Sequence, residues 1–144
     1  YVRQFMQDAK GNIFASAKNA IFYISYQQRA VSILIGSTAS GFKDGSFLEA
    51  RFRAPHGQQW ISPTSFLVSD ISNSKIRLAD LESRTVSTLD LCNSALCSDI
   101  YDPVSFLLTS SVFYLGEYEK ILRFECKYAA KSAILTNKGR SESN

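Results

Sequence analysis

The 144-residue sequence predicts an all-β fold of three four-stranded antiparallel units. Three observations predict it. Short runs rich in β-branched and aromatic residues follow one another, separated by turn residues. One strand–turn–strand pattern recurs three times. Hydrophobic residues make up 45% and charged residues 20%, an ordinary globular balance that excludes wholesale disorder.

In the first unit the predicted strands are 2–6, 12–15, 20–26 and 31–35. In the second they are 57–61, 65–69, a strand opening at Ile76 and 86–89. In the third they are 104–108, 112–115, 121–124 and a strand ending at Leu135. The repeat is clearest between residues 21–34 and 76–89. Arg29, Val31, Ser32 and Leu34 fall opposite Arg84, Val86, Ser87 and Leu89. Residues 122–135 match more loosely. Four antiparallel strands in roughly 45–50 residues is the signature of a β-propeller blade. The expected blades are 1–36, 57–91 and 103–136, and 137–144 is a polar tail or linker. The first residue is Tyr1, not Met, so a processed or excerpted chain is expected. Residues 36–57 form a long connection, with Phe47, Leu48 and Phe52 as apolar anchors and one candidate helical turn at 46–52.

The second unit carries an ordered set of short motifs. Gly41-x-x-Asp44-Gly45 is followed by Ala50-x-Phe52-x-x-Pro55-x-Gly57, a strand ending in Asp70, then Asn73, Ile76-Arg77 and Val86-x-Thr88. This composite resembles an NHL repeat. The third unit keeps Pro103, Glu117 near the Asp position and Leu122-Arg123, but lacks the Asn. The first keeps little beyond its strands and Gly36. The resemblance implies a β-propeller, of which some members bind RNA and some are lyases with a metal held by several histidines.

The chemistry-bearing residues read mainly as structural. Asp70 and Asn73 suit a turn between strands. A calcium site at Asp70, Asn73 and Asp80 is the alternative, but hard cations need several converging oxygens. Arg77 can bond across blades, and a structural ion pair is expected there rather than substrate binding. His56 is the only histidine, so neither a histidine-held metal nor a nucleophile–base pair is predicted. Trp60 is expected to pack against a neighbouring blade. Cys92 and Cys97 flank a short turn-rich loop and can form a disulfide, which points to a secreted or extracellular protein. Two free thiols remain the alternative, and Cys126 is expected in the core.

A blade buries both faces against its neighbours, and closed rings need about four to eight blades. Three blades therefore predict two open apolar faces, larger than a monomer tolerates. A protein partner, a second copy or further sequence is expected to complete the ring. The expected function is a non-catalytic protein–protein scaffold without cofactor. Its candidate binding residues are Lys43, Arg51, Arg53, Lys75 and Lys120, with Asp44, Glu49, Asp70, Glu117 and Glu119 interspersed. A net charge of +3 and this mixed rim favour a protein over a polyanion. The alternative is an RNA-binding propeller whose aromatics stack bases. A propeller lyase or hydrolase ranks third. No apolar run approaches the ~18 residues of a membrane span.

Overall fold

The alternating runs become twelve strands in three antiparallel sheets in the computed structural model, which describes residues 1–89, 103–109, 112–117 and 121–125. The first sheet holds β1 (Val2–Gln7), β2 (Ile13–Ala17), β3 (Ala20–Ser25) and β4 (Ala30–Gly36) in chain order. The second holds β5 (Gly45–Ser46), β6 (Pro55–Ser62), β7 (Ser65–Asp70), β8 (Lys75–Asp80) and β9 (Thr85–Leu89), in the order β5-β9-β8-β7-β6. The third holds β10 (Ser105–Leu108), β11 (Val112–Gly116) and β12 (Ile121–Glu125). The expected fourth strand of this unit, with Cys126, lies outside the described residues.

Within β1–β4, β6–β9 and β10–β12 the strands meander, each pairing with the next. Asp8 closes the β1–β2 turn by accepting the Lys10 and Asn12 amides, both at 2.9 Å. Asp80 does the same for Glu82 and Ser83 between β8 and β9. The repeat is visible in the backbone: Arg29 and Arg84 precede the last strand of their blades with φ of 51° and 54°. Such left-handed residues are uncommon outside glycine, and here two aligned turns share one.

The sheets stand side by side as propeller blades. Their first strands adjoin, with β1 and β10 both against β6. One core fills the space between blades 1 and 2, built on Phe14, Ile21 and Ile35 from the first and Phe66, Val68, Ala79 and Val86 from the second. A second core lies between blades 2 and 3, with Ile61, Leu67, Ile76 and Leu78 against Leu115. Phe14 and Ile21 align with Leu67 and Ile76, so the same face of each blade turns toward its successor. Polar stitches reinforce both junctions. The Ser16 hydroxyl donates to the His56 carbonyl, and the aligned Ser69 hydroxyl donates to the Val104 carbonyl at 3.3 Å. Gln4 and Gln58 also bond side chain to main chain across the first junction.

The connection 36–57 departs from the expected loop. Gly45 and Ser46 pair with Val86 and Thr85, adding a fifth strand to the outer edge of blade 2. The expected helical turn is a single turn, closed by the Ala50 amide on the Ser46 carbonyl at 2.8 Å. Phe47 and Phe52 are buried as anchors while Leu48 is exposed. Two backbone bonds, Gly36 N to Phe47 O and Phe47 N to Arg84 O, tie this strap to blades 1 and 2.

Candidate functional site

Register alone makes blade 1 asymmetric. Phe5, Ala15, Phe22 and Ile33 are cross-strand partners and form one row on its outward face. Ile13, Ile24 and Val31 form the next row. The aligned rows of blade 2 are Gln58, Val68, Arg77 and Thr88, then Trp60, Phe66, Ala79 and Val86. Blade 1 and the connection 36–57 together cover that second set, leaving Val86 2% exposed. Nothing among the described residues covers the first set, and Val31 is 64%, Phe5 61% and Ile33 42% exposed. Burying a Val, Ile or Phe side chain is worth about 1.5–3 kcal/mol, so covering this row would be worth several kcal/mol.

The strap builds a second constellation at the outer end of blade 2, around Arg77. This side chain is fully buried and its fork is fully engaged. Nη1 donates to Asp70 Oδ2 at 2.7 Å and to the Arg51 carbonyl. Nη2 donates to Asp44 Oδ1 at 2.6 Å and to the Lys43 carbonyl, and Nε donates to Asp44. Its guanidinium also lies between the rings of Phe42 and Phe52, at 4.9 and 5.1 Å from the centroids. The structural ion pair forms within the blade and not across blades: Arg77 binds Asp70 of its own blade and the strap laid over it. Blade 1 has Phe22 at this position.

Asp70 is fully buried too. It accepts the Arg53 amide on Oδ1, and Asn73 Nδ2 and Arg77 Nη1 on Oδ2. Burial pushes its carboxyl up, against the pull of Asn73, Arg53 and Arg77. Asp80 lies at the opposite end of β8, so the three residues of the calcium alternative do not converge. No group of three His, Cys, Asp or Glu suited to a metal occurs among the described residues.

The candidate binding residues gather around this network through their main chains. Lys43 and Arg51 lend their carbonyls to Arg77, Arg53 lends its amide to Asp70, and Lys75 pairs with Asp70 in the β7–β8 ladder. Their side chains differ in freedom. Arg51 Nη1 closes the strap turn on the Leu48 and Ala50 carbonyls. Lys43 lies 3.6 Å from Glu49, whose carboxyl is held below its ordinary range by the Ser46 hydroxyl and by Lys43. Arg53 and Lys75 are exposed. Lys120, Glu119, Cys92 and Cys97 lie outside the described residues.

Trp60 sits on the innermost strand of blade 2, edge-on to Phe14 of blade 1 and to Phe66, with Nε1 donating to the Gln7 carbonyl at 2.9 Å. His56 lies at the start of the same strand. Burial and the neighbouring Arg3 charge lower its pKa, and a bond to the Val104 main chain opposes them. The stitches of Ser16 and Ser69 were not anticipated. Their signal was present, since both serines stand at one position of the repeat.

No family model matches the chain and no curated protein matches it. Solved structures do. The chain is similar to a Bacteroides thetaiotaomicron protein of unknown function, at 20% identity and a TM-score of 0.64, over 78% of this chain and 32% of that one. It is similar to an auxiliary nutrient binding protein from Bacteroides ovatus, at 16% identity and 0.60, over 79% and 35%. It is also similar to virginiamycin B lyase from Staphylococcus aureus, at 12% identity and 0.51, over 88% and 41%. The likeness is one of fold, a partial β-propeller, and the chain spans about a third of the length of the first of these proteins.

Proposed function

We propose that the chain is a non-catalytic propeller scaffold that works by protein contact, docking the outward face of blade 1 onto another blade. One observation carries this reading: Val31 is 64% exposed where the aligned Val86, under its neighbour blade and the strap, is 2% exposed. The missing neighbour comes from further sequence, a partner or a second copy. Propeller blades at 1–36, 57–91 and 103–136, followed by a polar tail at 137–144, are the division this reading uses. An NHL-type second unit is part of the proposal. The motif positions Asp44, Asp70, Asn73 and Arg77 meet in one network, which gives the motif a physical purpose. Arg53 and Lys75, beside that network, are proposed as accessory contacts. A secreted or extracellular setting is proposed from the Cys92 and Cys97 pair.

Light scattering after size exclusion tests the docking. The wild-type chain is expected to associate with itself or to hold a partner. Val31→Lys with Ile33→Lys is expected to abolish this and leave the strand spectrum unchanged. A well-behaved wild-type monomer, indistinguishable from the double variant, overturns the proposal.

A further inference from the structure

Where the β1–β2, β3–β4, β6–β7 and β8–β9 turns come together, a cleft of about 750 Å³ opens between blades 1 and 2. Phe14, Tyr23 and Leu34 line it, with Lys10, Arg84 and Asp8 also on its wall. A second chamber of about 350 Å³, lined by Trp60, adjoins it and shares Asp8, Ala9 and Pro63. Volumes of this size are typical of small-ligand sites, which pair an apolar lining with a few polar anchors.

The turns themselves decide which polar groups stay available. They occupy the acceptors of Asp8, Asn12 and Ser25. Asp8 takes the Lys10 and Asn12 amides and the Asn12 side chain. Asn12 Oδ1 takes the Tyr26 amide, and Ser25 Oγ takes the Gln28 amide. The donors are left over. Neither the Lys10 ammonium nor the Arg84 guanidinium has an ion pair within 4.0 Å among the described residues. Lys10 lies near enough to Asp8 to stabilise its charge, but that carboxylate is already hydrogen-bonded on both oxygens. Arg84 rests over the Phe47 ring at 5.3 Å, which steadies the guanidinium and leaves its N–H groups open. The Tyr23 hydroxyl likewise has no partner among the described residues.

We propose that this cleft binds a small amphipathic carboxylate. Its apolar body lies on Phe14, Tyr23 and Leu34, and its carboxylate is held by Arg84 and Lys10. Two cations face one carboxylate, so the charge balance favours an anion over a cation. A guanidinium fork beside a low-dielectric wall is well suited to a carboxylate. This site is separate from the docking face of blade 1, and neither proposal depends on the other.

Trp60 is the only tryptophan and lines the adjoining chamber, so its emission reports occupancy directly. Decanoate serves as the probe, titrated by fluorescence and by calorimetry. Saturable binding is expected, with decyltrimethylammonium binding at least tenfold more weakly. Lys10→Glu with Arg84→Asn is expected to weaken decanoate by roughly tenfold or more, a loss of about 1.4 kcal/mol or more. Asn is chosen because Arg84 has a φ of 54°, which Asn tolerates. Phe5→Ser, on the opposite face of blade 1, is expected to leave decanoate binding unchanged. Absence of saturable binding by calorimetry overturns the proposal. So does equal affinity for the two probes, an unchanged affinity in the Lys10/Arg84 variant, or loss of binding in Phe5→Ser.

Discussion

Replacing Arg77 tests whether the strap is clamped to blade 2 by one buried side chain. In Arg77→Leu the Asp70 carboxylate, fully buried, keeps only Asn73 and the Arg53 amide. The Lys43 and Arg51 carbonyls lose the N–H groups that approach at 2.8 and 3.1 Å. Breaking a buried ion pair by removing one partner costs about 3–5 kcal/mol. The Asp44 side chain is 45% exposed, so solvent screens its share, and that contact adds little. The expected loss is therefore about 3–5 kcal/mol, a large part of an ordinary domain's ~5–15 kcal/mol. At this chain length it lowers Tm by roughly 10 °C. Arg77→Lys keeps the charge but has three donors in place of five. It leaves at least one of the four acceptors without its Arg77 bond, at about 0.5–1.5 kcal/mol. Urea unfolding followed by Trp60 emission gives the two losses. Hydrogen exchange locates them, since the Gly36, Gly41 and Phe47 amides are all bonded within or to the strap and are expected to lose protection first. A loss below about 1 kcal/mol in Arg77→Leu, or strap amides as protected as in the wild type, would refute the clamp.

Two further outcomes follow from the blade junctions. His56 has its pKa lowered from 6.5, first by burial, so the unfolded chain binds the proton more readily than the folded one. Its contribution to stability is complete above pH 6.5 and is lost as pH falls through the depressed folded value. Thermal melts from pH 7.5 down to 5 are expected to show this decline, and His56→Asn is expected to flatten it. At Gly57 an added Cβ would run into the Val104 carbonyl and lie 3.0 Å from the Ser105 Cα. Gly57→Ala must push blade 3 outward, with an expected cost of about 1–3 kcal/mol; a melt within 1 °C of the wild type would show that the junction yields.

How much of the site was legible follows from what each pattern encodes. The strap motif announced that Asp44, Asp70, Asn73 and Arg77 belong together, but not which side chain each one holds. That depends on the strap folding back over its own blade, a path no local spacing specifies. Lys43, Arg51 and Arg53 read as surface cations. Their main-chain atoms turned out to serve the buried network, because a buried guanidinium and carboxylate draw in every nearby carbonyl and amide. The cleft at the turns was not legible at all. Its walls come from segments far apart in the chain, and its charge depends on which groups the turns leave unbonded.

From the residues alone came the strands, the turns between them and the repeat that makes each blade a copy of the last, since alternation and turn chemistry act over a few residues. Tertiary structure decided which faces are covered. Val31 and Val86 are equivalent in sequence, and the neighbouring blade and the strap packed on Val86 make it core while Val31 is surface. Burial is a property of what stands opposite, and no residue carries that information by itself.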